Sequence, residues 1–431
     1  MDKSDVIVIG AGPAGMMAAI TAAKKGVRVI LLEKNHVCGE KLLLTGHGRC
    51  NITNLTSLSE YSTRYFENGK FLISALHAFS PEDIVEFFDA EGLHPHIEND
   101  ILVFPHTEKA IDVRDTLLRM LTRFSVHTIT DAEVVEIAAL HAKSSSDEMS
   151  APTCYMVTTA DGRRYSAPSC IVTVGGATFP QTGSNGKMLP LLHSLGHTST
   201  PLLPSLAPIL CEKQGIDVLA GLSLSDVDVE LIIDEKTAAR SHGDILFTHT
   251  GLSGPAIMRL ARYLPSNQTK YAAGCVALRF AFISRATADE CIMTQLSDHP
   301  NMTIGRILSL FVPNRLAKWM LARIHIDESK PAHDITKEER KKITAELKEG
   351  RYTVTRQSPM HNAFLTRGGI TLSEVSPKTM ASKINPGLFF AGEVLDIDGE
   401  SGGFNLQAAW STGYVAGESA ATHARMTDTE N

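Results

Sequence analysis

The 431-residue chain predicts an α/β fold in which both ends of the sequence build one parallel-sheet domain and the middle builds a second, β-rich domain. Three observations predict it. A short apolar run, "VIVI" from Val6 to Ile9, passes straight into a glycine-rich turn and an alanine-rich helix. That is the order of a buried parallel strand feeding a crossover helix. A second apolar run, "LFFA" from Leu388, ends in a glycine near the other terminus and is followed by a long helical stretch. Between them, Val227, Val229, Leu231 and Ile233 alternate with other residues, as do Val276, Leu278, Phe280 and Phe282. A period of two marks half-buried strands of a barrel or curved sheet.

The first element continues into "GAGPAG". Gly10, Gly12 and Gly15 fit GxGxxG. Gly10 permits the tight turn, Gly12 lets a pyrophosphate approach the backbone, and Gly15 lets the helix pack against the strand. Ala11, Pro13 and Ala14 fill the turn, with Pro13 in the first helical turn, where its missing N–H costs little. Gly26 closes the helix. A second strand, "VRVILLE", ends at Glu33, 18 positions after Gly15 and close to the roughly 20 expected of an acid that holds adenosine ribose hydroxyls. Strand, turn, helix, strand and acid in register predict dinucleotide binding by a Rossmann-like domain, without choosing between FAD and NAD.

The choice comes from the next segment. "KNHVCGEKLLLTGHGRCNITN" returns repeatedly to glycine and polar residues. Thr45, Gly46, Gly48 and Asn51 offer amides and short polar groups to a long polar ligand. Arg49 is placed to meet a phosphate or to polarise a ring carbonyl. Such a loop suits an extended FAD running toward its isoalloxazine. His47 and Cys50 have no further ligands nearby in sequence, which predicts no metal, and Cys50 reads as packing rather than redox chemistry. "HAKSSSDEMSAP", residues 141–152, reads as a polar hairpin loop. A further strand, residues 171–174, ends in Gly175-Gly176 without a full fingerprint or a following acid, so it predicts no second, permanent NAD site.

In the insert, "GDILFTHTGLSGPAIM" reads as strand, tight loop and helix, with Ser253 or Gly254 as cap and Pro255 in the first turn. His249 is its acid–base candidate. Residues 303–349 read as helices divided by Pro313, with a capping box of Thr336 and Glu339. Arg367-Gly368-Gly369 is expected to bring backbone close to a flavin ring. After the C-terminal strand, Gly392 and Glu393 lead to Gly402-Gly403 and the helix "FNLQAAWSTGYVAGESAA". Its free N–H groups and dipole suit an anion, such as the charge a reduced flavin carries near N1 and the C2 carbonyl. Glu393 is placed for ribityl hydroxyls.

These pieces together resemble the BaiN/YhiN-like FAD-dependent oxidoreductases, over nearly the whole chain. The marks are "GAGPAG", "KLLLTGHGRCNITN", "GDILFTHTGLSGPAIM", "GGITLSEVSPKTM" and "GLFFAGEVLDIDGESGGFNLQAAWSTG". The resemblance implies noncovalent FAD at Gly10, Ala11, Gly12, Pro13, Ala14, Gly15, Glu33, Lys41, Thr45, Gly46, Gly48, Arg49, Asn51, Gly392, Glu393, Gly403, Phe404, Asn405, Leu406 and Gln407. Lys34, Cys50, Val134 and Gly175 complete the expected cofactor set. Two positions depart from the family's pattern: His47 stands where it usually has glycine, and Glu40 where it commonly has arginine.

The fold expectation is therefore α/β: a Rossmann-like FAD-binding domain from 1–195 and 352–431, interrupted by a β-barrel-like insert at 196–351 with a small helical subdomain at about 303–349. The functional expectation is hydride transfer through flavin N5, with NAD(P)H as transient donor and an activated alkene or similar small molecule as acceptor. Arg49 and His249 are the catalytic candidates. A small-amine oxidase, a flavin redox sensor or electron carrier, and an RNA-modifying flavoenzyme are the alternatives. A formal net charge of -7 and the lack of a basic tract predict no nucleic-acid partner. There is no apolar run of about 18 residues to suggest a membrane span, and Asp2 and Asp5 argue against a signal peptide. Seven scattered cysteines without CxxC fit a reducing cytoplasm, where the sequon at Asn51 has no role.

Overall fold

The computed structural model describes residues 2–141, 152–212, 216–283 and 287–429. The hairpin loop expected at 141–152 falls outside them, save its two end positions. The chain forms two compact units, Met1–Leu203 with Phe364–Asn431, and Pro204–Ala363.

The first unit is organised by a five-stranded sheet in the order Leu388–Phe390, Ser169–Val172, Val6–Ile9, Val29–Leu32 and His127–Ile129, every neighbouring pair parallel. The runs at Val6, Val29, Ser169 and Leu388 are buried at every position, which is why they read as continuous apolar strings. Ile9 lies opposite both Val172 and Leu32, and Val172 opposite Phe390. The carboxyl ends of four strands are thereby level, the edge where open α/β sheets take ligands.

Helix α1 (Pro13–Lys24) starts on Gly12 with Pro13 in its first turn, and Gly26, at φ +80°, follows its end. A Cβ on Gly15 would stand 1.9 Å from the Gly10 carbonyl oxygen. The third glycine of the motif is therefore a packing requirement. The C-terminal helix, α2 (Phe404–Thr429), crosses α1 closely for the same reason: a Cβ on Gly413 or Gly417 would lie 2.4 Å from the carbonyl oxygen of Ala14 or Ala18. The strand expected to reach Val174 stops at Val172. Thr173 keeps its N–H on the Ile9 carbonyl at 2.9 Å and turns its hydroxyl to the carbonyls of Ile9 (2.9 Å) and Gly10 (2.8 Å), fixing the glycine turn. A small sheet of Thr53–Asn54, Leu102–Phe104 and His96–Glu98 flanks this core.

The second unit holds a closed barrel ordered Ile209–Cys211, Gly251–Ser253, Lys236–Thr248, Ser223–Ile233, Val276–Ala281 and Gly350–Arg356. Val227, Val229, Leu231, Leu278 and Phe280 are buried as their alternation predicts. Glu230 breaks the pattern: it is also buried, and it pairs with Arg240 and Arg279. Ser253 ends its strand, and Gly254 at φ +95° is the cap of Pro255–Leu260. A Cβ there would stand 2.8 Å from the Asp244 carbonyl oxygen, which excludes serine's geometry and requires glycine. Helices Ile304–Leu308, Asn314–Arg323 and Lys337–Glu349 follow, with Pro313 capping the start of the second and the Thr336–Glu339 capping box opening the third.

Candidate cofactor and active site

A cavity of about 500 Å³ opens at the level carboxyl ends of the sheet, and every residue lining it belongs to the first unit. That size suits a small-molecule or cofactor site. One wall is the glycine turn and the start of α1: Gly10, Gly12, Pro13 and Ala14. A Cβ on Gly12 would meet nothing within 4 Å, so this glycine borders open space, unlike Gly15. The helix N-terminus behind it offers unpaired N–H groups and a positive dipole end to a phosphate.

Glu33 stands at the far end of that wall. Its carboxylate accepts from the N–H of Ala11 at 2.8 Å and of Asn35 at 2.9 Å. Burial pushes its carboxyl upward in pKa, against the pull of those two N–H groups. Ala11 is thus recruited through its backbone, behind the lining. Lys34 and Val134 line the same end, and burial lowers the Lys34 ammonium.

The opposite wall joins the two halves of the first unit. Lys41 Nζ donates to Glu393 Oε2 at 2.6 Å and to Thr178 Oγ1 at 2.7 Å. Glu393 Oε1 accepts the Thr366 N–H at 2.8 Å. The carboxylate expected to meet a ligand's hydroxyls thus spends its first bonds on Lys41 and Thr366. Thr45, Gly175, Gly392, Asn405 and Leu406 complete the predicted lining residues. Gly392, at φ +75°, donates its N–H to Thr412 Oγ1 at 3.0 Å, which ties the strand end to the third turn of α2.

The rest of the Lys41–Asn54 segment does something else. Gly46, Gly48, Arg49, Cys50 and Asn51 are not lining residues. Arg49, expected to meet a phosphate or ring carbonyl, is paired with both Glu98 and Glu108 and lies over the Phe104 ring at 4.0 Å. Its charge already has two partners, and those bonds hold both carboxyls below their ordinary range. Cys50 is fully buried and its thiol is pushed up to about 12 by desolvation, which makes it a poor nucleophile. Asn51 donates to the Thr53 carbonyl (2.9 Å) and accepts from the Gly403 N–H (3.3 Å). Gly403, Phe404 and Gln407 also miss the lining. Gly403 packs on the Thr53 backbone, Phe404 against Tyr61 and Tyr65, and buried Gln407 accepts from Thr53 Oγ1 at 2.6 Å. His249 sits between two barrel strands of the second unit, Lys236–Thr248 and Gly251–Ser253, and is likewise not among the lining residues.

Sequence reasoning missed Thr178, Thr366, Phe364 and Ser184. The last is informative: Ser184 lines the cavity, is 6% exposed, and its hydroxyl has no partner. Its signal was "TGSNG", a second glycine-rich run whose missing fingerprint hid it. Among the described residues, His96, Glu98 and Glu108 bring three possible metal ligands within 4.8 Å of one another, but the Arg49 guanidinium already bridges both carboxylates.

An acid at the ribose position, an open glycine turn at a helix start, an orphan hydroxyl and a second helix start fit an extended dinucleotide. They are the features of a Rossmann-type dinucleotide site. The chain belongs to the family described as HI0933-like protein Rossmann domain, whose model matches residues 4–419. It is 30% identical over 96% of its length to a 3-dehydro-bile acid delta(4,6)-reductase of Clostridium scindens, covering 98% of that protein. It is 26% identical over 97% of its length to a ribosomal RNA dihydrouridine synthase of Escherichia coli, again covering 98%. A flavocytochrome c3 fumarate reductase in an open conformation shares the fold, with a TM-score of 0.52 at 15% identity, over 98% of this chain and 79% of that one. The protein is an FAD-dependent oxidoreductase.

Proposed function

We propose that the enzyme reduces a carbon–carbon double bond conjugated to a carbonyl in a small organic acceptor, with NAD(P)H as electron donor. The observation that carries this reading is the end-to-end likeness to a reductase named for a 3-dehydro, delta(4,6) substrate, a ketone conjugated to two alkenes. Bound FAD would supply hydride acceptance and donation at N5. The chain's own residues supply the rest. Gly10, Gly12 and the α1 start receive the pyrophosphate, Glu33 the adenosine ribose, and Asn405 and Leu406 the ring end. The cavity walls hold the acceptor in place and exclude water. Seven free cysteines suit a cytoplasmic setting.

A second reading rests on the full-length relatives named as ribosomal RNA dihydrouridine synthases. Making dihydrouridine also reduces a double bond conjugated to a carbonyl, within a uracil ring. The bond chemistry is shared and the size of the acceptor differs. The test is anaerobic reduction of the purified holoprotein with NADH and NADPH, followed by reoxidation with cyclic enones, amine-derived imines, quinones, oxygen or ribosomal RNA. Fast reoxidation by enones supports the first reading. RNA binding that weakens steeply with salt, with dihydrouridine formed, favours the second. Fast oxygen turnover on an amine, or reversible reduction with no organic turnover, defeats both.

A further inference from the structure

We propose that Lys41 is the catalytic residue that meets the acceptor's carbonyl oxygen, held for that task by Glu393 and Thr178; the inference rests on the enone-reductase reading above. An ammonium has three donors. Glu393 Oε2 takes one at 2.6 Å and Thr178 Oγ1 another at 2.7 Å, which leaves the third for the cavity that Lys41 lines. The holders are themselves fixed. Thr178 is fully buried, and Glu393 Oε1 is tied to the Thr366 N–H at 2.8 Å. A donor that cannot reorganise is the arrangement that stabilises a developing oxyanion.

The surroundings suit a flat apolar molecule carrying one oxygen. Lys41 Nζ lies 5.9 Å from the centre of the Phe179 ring. Phe179 meets Phe364 edge-on at 5.7 Å, and the Thr178 hydroxyl reaches the Phe364 carbonyl at 3.4 Å. Phe364 lines the cavity and is 43% exposed. Cation and aromatic wall belong to one built cluster. Arg49, the sequence's candidate for a phosphate or a ring carbonyl, is paired with Glu98 and Glu108.

Bound FAD, once reduced, would supply hydride to the acceptor's β-carbon as the C=C π bond breaks and its electron pair moves through to the carbonyl oxygen. Lys41 donates a proton to that oxygen, giving an enol that becomes the saturated ketone in water. Water returns a proton to Lys41. Glu393 is a positioning residue.

The test uses FAD-loaded Lys41→Met, Lys41→Arg and Glu393→Gln proteins. Lys41→Met is expected to slow enone reoxidation of the reduced holoprotein by about 10²-fold or more, the usual loss of one oxyanion donor. Once each variant is saturated with FAD, reoxidation by ferricyanide, which needs no carbonyl contact, should stay within about twofold. Binding of p-chlorophenol, an oxygen on an apolar ring, to the oxidised holoprotein should weaken about tenfold in Lys41→Met. Lys41→Arg should recover part of both. Glu393→Gln should fall between wild type and Lys41→Met in enone rate. A Lys41→Met protein that needs more FAD but, once saturated, is reoxidised by enones at the wild-type rate makes Lys41 a cofactor contact and overturns the proposal. Wild-type protein that no enone reoxidises sinks the reading beneath it instead.

Discussion

Two glycine-rich stretches of the first unit, Gly10–Glu33 and Lys41–Asn54, look alike in sequence and behave differently in structure. In the first, most motif residues either border the cavity or fix a residue that does. In the second, the lining residues end at Thr45, Arg49 turns to Glu98 and Glu108, and the last residues, Ile52 to Asn54, meet α2 and the glycine before it. Thr53 Oγ1 bonds Gln407 at 2.6 Å, the Ile52 carbonyl accepts the Trp410 indole N–H at 3.0 Å, and Asn54 donates to the Gly402 carbonyl at 2.9 Å. The stretch is a seam between distant segments. A glycine in a tight turn answers to its own neighbours, so spacing reveals its role. A polar side chain in a loop answers to whatever the fold brings near, here residues some 350 positions away.

The comparison breaks most visibly within the first stretch. Gly15→Val places a side chain against the Gly10 carbonyl oxygen, 1.9 Å from the new Cβ, and should cost about 3 kcal/mol or more, the upper end for overpacked cores. The Cβ of Gly12→Val meets no atom within 4 Å at a φ of -78° that any residue accepts. It should leave apo-protein melting nearly unchanged while weakening FAD binding by about 100-fold, because the pyrophosphate needs that space. Thermal melts with and without FAD separate the two. Equal behaviour of the two variants would erase the distinction between a packing glycine and a cradle glycine.

Gln407→Ala tests the seam. It removes an acceptor for Thr53 Oγ1 and the Nε2 bonds to the Phe79 carbonyl and Ser411 Oγ, all in a buried setting. At about 1 kcal/mol for each bond, with a buried hydroxyl left under-satisfied, the loss should be about 3 kcal/mol of stability. FAD affinity of the folded protein should change by less than about threefold, the signature of anchoring without ligand contact. Wild-type stability joined to lost FAD binding would return Gln407 to the cofactor site.

What the sequence made legible follows the same line. The strand–turn–helix of Val6–Lys24, Glu33, the period-two barrel strands, the Thr336 capping box and the helix after Gly403 were readable because each depends on local spacing. The barrel-like insert was legible as such, but the pair that closes it was not, since Ile209–Cys211 with Gly350–Arg356 joins residues no local pattern connects. The Lys41–Glu393–Thr178 cluster was legible only as separate residues: its members lie up to 352 positions apart. The partners of Arg49 were not legible for a physical reason. An arginine in a glycine-rich loop looks unpartnered until the fold delivers Glu98 and Glu108.

The smallest effect is expected where the second stretch departs from the pattern of the family it resembles. Gly46, His47 and Gly48 have φ values of +56°, +57° and +88°, so three consecutive residues sit in the left-handed region. Glycine adopts it freely, whereas a residue with a Cβ pays about 1 kcal/mol. His47 is exposed, so its side chain is not held there by burial. His47→Gly relieves that strain but gives the unfolded chain more freedom to lose, about 0.5–1 kcal/mol. The net change should be a gain of about 0.5 kcal/mol or less, read as a slight rise in melting temperature with FAD affinity unaltered. A clear loss of stability, or of FAD, would mean that the imidazole makes a contact worth more than its backbone strain, and that this part of the stretch also serves the cavity.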